Sequence, residues 1–109
     1  MSTQTATVDY ILDQLASLRT ISARKMFGEY ALYCEGKVVG LVCDDALFIK
    51  NTEEGRRFAV GKFQEGEAYP GAKTSLKISE DDLEDREWIS RLVNITAENV
   101  SAPKKKKKK

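Results

Sequence analysis

The stretch RKMFGEYALYCEGK, residues 24–37, is the clearest signature of the fold in this chain. Its second half alternates apolar and polar positions and ends at Glu35-Gly36, a dipeptide that favours a tight hairpin turn. Apolar residues continue beyond that turn in short runs, which Asp44-Asp45 interrupts again. Residues 22–50 are therefore predicted to form an antiparallel β-meander of three to four strands.

The turn also predicts a register for the hairpin. Centring it on Glu35-Gly36 sets three opposed pairs: Cys34 with Lys37, Leu32 with Val39, and Tyr30 with Leu41. One face of the hairpin would then carry Tyr30, Leu32, Val39 and Leu41. Cys43 lies six positions beyond Lys37, or roughly 20 Å at about 3.4 Å per residue, so a Cys34–Cys43 disulfide is not expected.

Helical periodicity precedes the meander. Apolar residues recur every three or four positions within residues 8–18, and Thr7 is available as the N-cap. After the meander, Asn51 or Thr52 is predicted to cap a short helix that ends at Phe58.

The remaining body is predicted to add a loop, a strand and a closing helix. Residues 61–73 contain Gly and Pro and are predicted to be a loop, whereas residues 74–78 are predicted to be a strand. Ser79 and Asp82 resemble a capping box, and apolar residues at helical spacing follow Glu84-Asp85. The fold class is therefore α+β, with one or two further strands after the meander and both terminal helices on one face of the sheet.

Composition indicates a single domain. The 109 residues are 41% hydrophobic and 32% charged, which is enough apolar material for one compact core. We expect a domain over residues 1–100 and a disordered, low-complexity lysine tail over residues 101–109. No apolar run approaches a membrane span of about 20 residues, and residues 1–7 lack a secretory signal, so a soluble, cytoplasmic protein without membrane contact is expected.

The net charge of +1 is divided unevenly between the body and the tail. Setting aside the tail's six lysines leaves 12 of the 18 basic residues against 17 acidic ones, so residues 1–103 carry a formal charge of −5. An acidic body lacks the basic footprint of a nucleic-acid-binding domain. Nonspecific polyanion contact is therefore assigned to the tail alone, namely to Lys104, Lys105, Lys106, Lys107, Lys108 and Lys109.

A family resemblance extends over about residues 8–95. It is carried by Arg24-Lys25-Met26-Phe27-Gly28, Tyr30, Leu32-Tyr33, Gly36-Lys37, Gly40-Leu41-Val42, Asp44-Asp45 and Leu47-Phe48-Ile49-Lys50. These motifs resemble the amino-terminal domain of the TfoX/Sxy competence regulators. The resemblance implies a small bacterial α+β domain associated with transcriptional control of natural competence, without enzymatic activity. No cofactor is expected.

The family motif is also the candidate partner surface. Its residues are Arg24, Lys25, Met26, Phe27, Gly28, Tyr33, Gly36 and Lys37. Each has a structural interpretation as well: Gly28 as a bend or bulge, the aromatic residues as ordinary packing, and the cations as solvated charges. The structural interpretation is favoured for most of them, so the stretch is interpreted mainly as a determinant of the fold.

Little in the sequence indicates a reaction. The chain has no histidine, so Cys34 lacks the usual base for a nucleophile, and no zinc set is expected. The carboxylates of residues 80–85 lack the spacing of an EF-hand and are interpreted as helix caps.

Three functional hypotheses follow, in order. The first is a non-catalytic regulatory module that binds an unidentified protein, as a monomer or a homodimer. The second is a nucleic-acid-associated protein that uses the lysine tail. The third is a small-molecule-binding domain, or an enzyme, with a pocket near the Met-Phe-Gly bend.

Overall fold

The computed structural model describes residues 4–18, 20–26, 29–67, 71 and 74–100. In this part of the chain the elements are α1 (Thr5–Gln14), β1 (Ile21–Met26), β2 (Glu29–Cys34), β3 (Lys37–Cys43), β4 (Ala46–Ile49), α2 (Glu53–Phe58), β5 (Gln64–Glu67), β6 (Thr74–Ile78), α3 (Glu80–Leu83) and α4 (Arg86–Asn99). The predicted α+β class and order of elements are confirmed. None of the described helices is long and apolar enough to span a bilayer.

The six strands of the described residues belong to one antiparallel sheet of order β1-β2-β3-β4-β6-β5. The first four strands are the predicted meander, and two tight turns shape it. Both central residues have positive φ in each turn: 56° and 77° at Glu35 and Gly36, then 52° and 62° at Asp44 and Asp45. This pattern matches a type I′ turn, whose twist suits a two-residue hairpin.

A bulge corrects the predicted register of the first hairpin. Cys34 does oppose Lys37, but the register shifts beyond Tyr33, so that Leu32 opposes Gly40 and Ala31 opposes Leu41. The predicted pairs Leu32 with Val39 and Tyr30 with Leu41 are therefore wrong. An extra residue in one strand reverses the side-chain alternation that follows it.

The bulge explains which residues of β3 enter the core. Val39 and Val42 both belong to the core although they are three positions apart, a spacing that places side chains on opposite faces of a regular strand. Leu41, predicted to share a face with Leu32 and Val39, instead pairs with Ala31 and Phe48 on the opposite face of the sheet.

The first helix begins earlier than predicted because its cap comes from a distant turn. Thr7 lies inside α1, not at its N-cap, and its hydroxyl donates to Asp45 Oδ1 at 2.9 Å. The same oxygen accepts from the backbone N–H of Gln4, also at 2.9 Å. Asp45 thus supplies an acceptor and a negative charge to the N-terminus of α1 from the β3–β4 turn.

Local caps set the beginnings of the later helices. Thr52 accepts from the backbone N–H of Gly55 and caps α2, as predicted. Ser79 accepts from the N–H of Asp82 and caps α3, and Asp85 accepts from the N–H of Trp88 and caps α4. The predicted closing segment is therefore two helices, because each of Ser79 and Asp85 begins its own.

The helices cover one face of the sheet, which we call the inner face. The core on this face joins buried residues of α1, α3 and α4 to strand residues, among them Leu15, Leu32, Ile49, Leu76 and Leu92. Trp88 is half-buried beside this core and stacks on Phe58, with 5.9 Å between the ring centroids. The predicted placement of the terminal helices is confirmed.

A buried glutamine ties the first helix to the last two. Gln14 donates through Nε2 to the carbonyl oxygens of Leu83 and Glu84, at 3.0 and 3.1 Å. The backbone carbonyl oxygen of Gln14 accepts from the hydroxyl of Ser90 at 3.2 Å. Gln14 thereby satisfies carbonyls at the end of α3 that the short helix leaves without partners.

One predicted loop contains a strand. Residues 61–73 were expected to be irregular, but Gln64–Glu67 forms β5 and pairs with β6. Its sequence, QEGE, has no apolar alternation because β5 is an edge strand with exposed or half-buried positions. Hydrogen bonding to β6, and not burial, accounts for this strand.

Candidate interaction surface

The sheet face opposite the helices, which we call the outer face, has a different composition. Every described helix contributes its apolar residues to the core on the inner face. The outer face carries the alternate strand residues, including Met26, Tyr33, Leu41 and Phe48. A sheet with helices on one side alone presents its second side to solvent or to a partner.

One line of paired residues crosses the whole outer face, and we call it the outer row. Successive pairings join Arg24 to Ala31, Ala31 to Leu41, Leu41 to Phe48, Phe48 to Lys77 and Lys77 to Gln64. Residues directly opposite one another in a sheet point to the same side. The outer row is therefore apolar at its centre and has a cation near each end.

Both cations of the outer row lie over aromatic rings. The Arg24 guanidinium carbon is 5.7 Å from the Tyr33 ring centroid, and Lys77 Nζ is 5.9 Å from the Phe48 centroid. Neither cation is in an ion pair with any residue of the described ranges. Cation–π contact orients these side chains over the sheet and leaves their charges available to an anion.

The outer face also has a partly exposed apolar surface. Met26 is 41% exposed, while Tyr33, Val38 and Leu41 are half-buried. Phe48 is only 7% exposed, because its ring packs on Gly66 and under Lys77. Ala31 and Cys43, whose side chains are small, are buried between these residues.

Three of the predicted site residues come together on the outer face. Arg24 and Met26 lie two positions apart on β1 and therefore share a face, and Tyr33 lies on the neighbouring strand opposite Ser22. Lys25 pairs with Tyr30, which packs against the inner core, so Lys25 belongs to the opposite side of the sheet.

Two other predicted residues have intramolecular roles. Gly36 occupies the β2–β3 turn at a φ of 77°. Lys37 donates through Nζ to the carbonyl oxygen of Ala97 at 2.9 Å, near the C-terminal end of α4. A lysine at a helix C-terminus satisfies a free carbonyl and complements the helix dipole. Phe27, Gly28 and Lys104–Lys109 lie outside the described residues.

Sequence reasoning missed three residues of the outer face. Leu41 was assigned to the wrong face because the bulge was not foreseen, and Phe48 and Lys77 were not considered as surface residues. The run Leu47-Phe48-Ile49 carried a usable signal. Three consecutive apolar residues in a strand require an apolar side chain on each face of the sheet.

The two thiols are free and lie on different faces. Cys34 belongs to the inner core, whereas Cys43 lies on the outer face opposite Ala46. Burial raises the pKa of the Cys34 thiol above its ordinary value, against a smaller lowering by the Thr20 hydroxyl. Burial also raises the pKa of Cys43, with smaller contributions from Glu29 and Asp44. Both thiols are consequently protonated at neutral pH and are poor nucleophiles.

Two surface depressions offer limited chemistry. The larger, of about 380 Å³, is lined by Gly61, Lys62, Phe63, Gln64, Lys77, Ser79 and Asp82. Its Ser79 and Asp82 side chains bond to one another at the start of α3. The smaller, of about 200 Å³, lies beside Cys34 and Thr20. Within the described ranges, no group of three or more acidic or cysteine side chains is arranged to hold a metal ion.

Comparison with known proteins identifies a family and a relative. The family model described as the TfoX N-terminal domain matches residues 13–100. The chain is also 36% identical over 109 residues to an uncharacterized 12.7 kDa protein in the trpE 5′ region of Spirochaeta aurantia. That alignment covers 100% of this chain and 93% of the spirochaete protein.

Proposed function

This chain belongs to the TfoX N-terminal domain family, and from that premise we propose that it is a non-catalytic regulatory module that binds a protein partner through its outer face. The family resemblance links such a module to transcriptional control of natural competence in the bacterial cytoplasm. We propose the same setting for this protein. The unlinked cysteines fit a reducing compartment.

The observation that carries the proposal is that none of the described helices covers the outer face, which is partly exposed. Stable domains bury the apolar faces of their elements, and an apolar surface left open often marks a site of association. Here Met26 is 41% exposed beside half-buried Tyr33 and Leu41. Protein interfaces favour aromatic residues, Met and Arg, and Met26, Tyr33 and Arg24 are all present.

The chemistry of the described residues favours binding over catalysis. Both thiols have a raised pKa through burial, and the chain contains no histidine to act as a base. The larger depression joins two lysines to a Ser79–Asp82 pair that already caps α3. A nucleophile with its base, which group-transfer chemistry generally requires, is missing from this set of residues.

A capture experiment with matched variants tests the proposal. The chain is shortened to residues 1–100 to remove the lysines and is immobilised, and a nuclease-treated lysate of the source bacterium is passed over it. Met26→Glu introduces a charge on the outer face. Val60→Glu is the control, because Val60 is 73% exposed and directly follows α2, which packs against α4. Circular dichroism and melting verify that both variants fold.

The expected result is a defined protein captured by the unmodified chain and by Val60→Glu but lost with Met26→Glu. Loss of capture with Met26→Glu but not with Val60→Glu would place the partner on the outer face. Capture of the same protein by both variants, or no capture at all, would contradict the proposal.

A second candidate function depends on six consecutive lysines, Lys104–Lys109. A flexible cationic end binds phosphates without fixing a register on a duplex, so it would give affinity for nucleic acid without sequence preference. The nuclease-treated lysate and the shortened chain separate this activity from binding by the outer face.

A further inference from the structure

The outer row has a charge pattern that identifies a class of partner. We infer that it binds an amphipathic helix of another protein whose apolar stripe is flanked at both ends by carboxylates. This inference rests on the proposed function and specifies the chemistry of the partner.

The spacing of the cations sets the length of that helix. Arg24 lies on β1 and Lys77 on β6, with β2, β3 and β4 between them. Four strand spacings of about 4.8 Å place the two residues roughly 19 Å apart. At 1.5 Å per residue, this distance corresponds to about 13 residues of α-helix.

Charge complementarity selects an acidic partner over a basic one. Arg24 and Lys77 are exposed and have no carboxylate partner in the described part of the chain. Glu29 lies at the Met26 corner of the same face and accepts from the backbone N–H of Asp44 at 3.1 Å. The outer row therefore carries positive charge on a body whose formal charge is −5 without the tail, so acidic side chains would be attracted to this row and repelled elsewhere.

Backbone chemistry favours a helix over an extended segment. An extended peptide has free N–H and C=O groups and binds by adding to a sheet edge. At the centre of the outer row Leu41 is half-buried and its neighbours Ala31 and Phe48 are buried, and none of these apolar side chains can bond to those groups. A helix makes its own backbone hydrogen bonds and can present an apolar stripe to such a surface.

A designed peptide provides a direct test without the natural partner. The probe is a fluorescent helix of about 14 residues, with leucines along one stripe and two glutamates at each end of that stripe. A second peptide replaces the four glutamates with lysines. Binding is followed by fluorescence anisotropy with the full chain and with variants Arg24→Glu, Lys77→Glu and Lys25→Glu. Lys25 is the matched control, since it adjoins Arg24 on the same strand but belongs to the other side of the sheet.

The inference predicts that the acidic peptide binds and the basic one does not. Arg24→Glu and Lys77→Glu should each weaken binding at least about tenfold, and Lys25→Glu less than about threefold. Raising the salt concentration from about 0.05 to 0.5 M should weaken binding by the unmodified chain, because partly exposed charges are screened.

Three results would overturn the inference. The first is equal binding of both peptides, or no binding of either. The second is a dimer in sedimentation experiments that Arg24→Glu dissociates, which would make a second copy the occupant. The third is tighter binding of a single-stranded oligonucleotide than of the acidic peptide by the chain shortened to residues 1–100. Failure of the peptide alongside Met26-dependent capture from lysate would reject the helix and retain the proposed protein-binding function.

Discussion

Replacing Gly40 with alanine should destabilise the fold by crowding the centre of the sheet. A Cβ at this position would lie 2.5 Å from the carbonyl oxygen of Phe48 and 3.3 Å from Ile49 Cα. Real Cβ atoms essentially never come within 3.0 Å of a non-neighbouring heavy atom, so the Cβ–oxygen distance is too short to be kept. Both neighbours are backbone atoms of β4, which cannot rotate away. The strand must therefore move.

The size of the effect follows from two opposing contributions. Overpacking of a rigid interior costs about 1 to 3 kcal/mol, and the backbone contact at Gly40 puts this substitution toward the upper end. Removing a flexible glycine from a strand returns about 0.5 to 1 kcal/mol. The free energy of unfolding should fall by about 1.5 to 2 kcal/mol, and Tm by roughly 6 to 16 °C.

Gly66→Ala is the matched control. Its Cβ would meet Phe48 Cε2 at 3.4 Å and Lys77 Cβ at 3.6 Å, which are ordinary side-chain contacts, so stability should stay the same or rise by up to about 1 kcal/mol. Urea unfolding followed by the fluorescence of Trp88, the chain's one tryptophan, measures both variants. Equal stability of the two variants would refute the predicted close approach of β3 and β4.

Three further predictions concern the first turn, the thiols and the tail. Glu35→Asn should stabilise the fold by about 0.5 to 1 kcal/mol, because Asn tolerates the φ of 56° better than Glu; an unchanged urea midpoint would contradict this. Cys34 and Cys43 should alkylate slowly at pH 8 until urea is added. As the pH rises above the ordinary thiol pKa of 9.0, the unfolded state loses thiol protons first, so stability should fall more than in a Cys34→Ala, Cys43→Ala variant. If Lys104–Lys109 bind DNA, a plot of log affinity against log salt concentration should have a slope no steeper than about −5. Truncation after residue 103 should abolish DNA binding.

Local sequence patterns predicted the turns and helix starts better than they predicted which face of the sheet a residue occupies. Turn chemistry at Glu35-Gly36 and capping by Thr52 and Ser79 depend on neighbouring residues, and the structure confirms them. The bulge beside Tyr33 depends on how two strands fit together. The bulge places Leu41 on the outer face, and the alternation of apolar residues within one strand could not have indicated this.

Long-range contacts account for the other differences. The start of α1 is set by Asp45, 38 positions from Thr7 in the sequence, and β5 exists because β6 pairs with it. The candidate surface was predicted only in part for the same reason. Arg24, Met26 and Tyr33 were found from the family motif, whereas Phe48 and Lys77 join them only through the pairing of β4 with β6.

Methyl NMR of the partner complex tests directly whether the outer face binds a protein. The chain is labelled with ¹³C at the methyl groups of Met, Leu and Val and titrated with the protein captured from lysate. Binding by the outer face predicts large shifts or broadening for Met26 and Leu41, with Val60 unchanged. It predicts smaller changes for Leu92, which is fully buried in the core. Unchanged Met26 and Leu41 signals, with the shifts confined to Val60 or to the helical side, would contradict the claim.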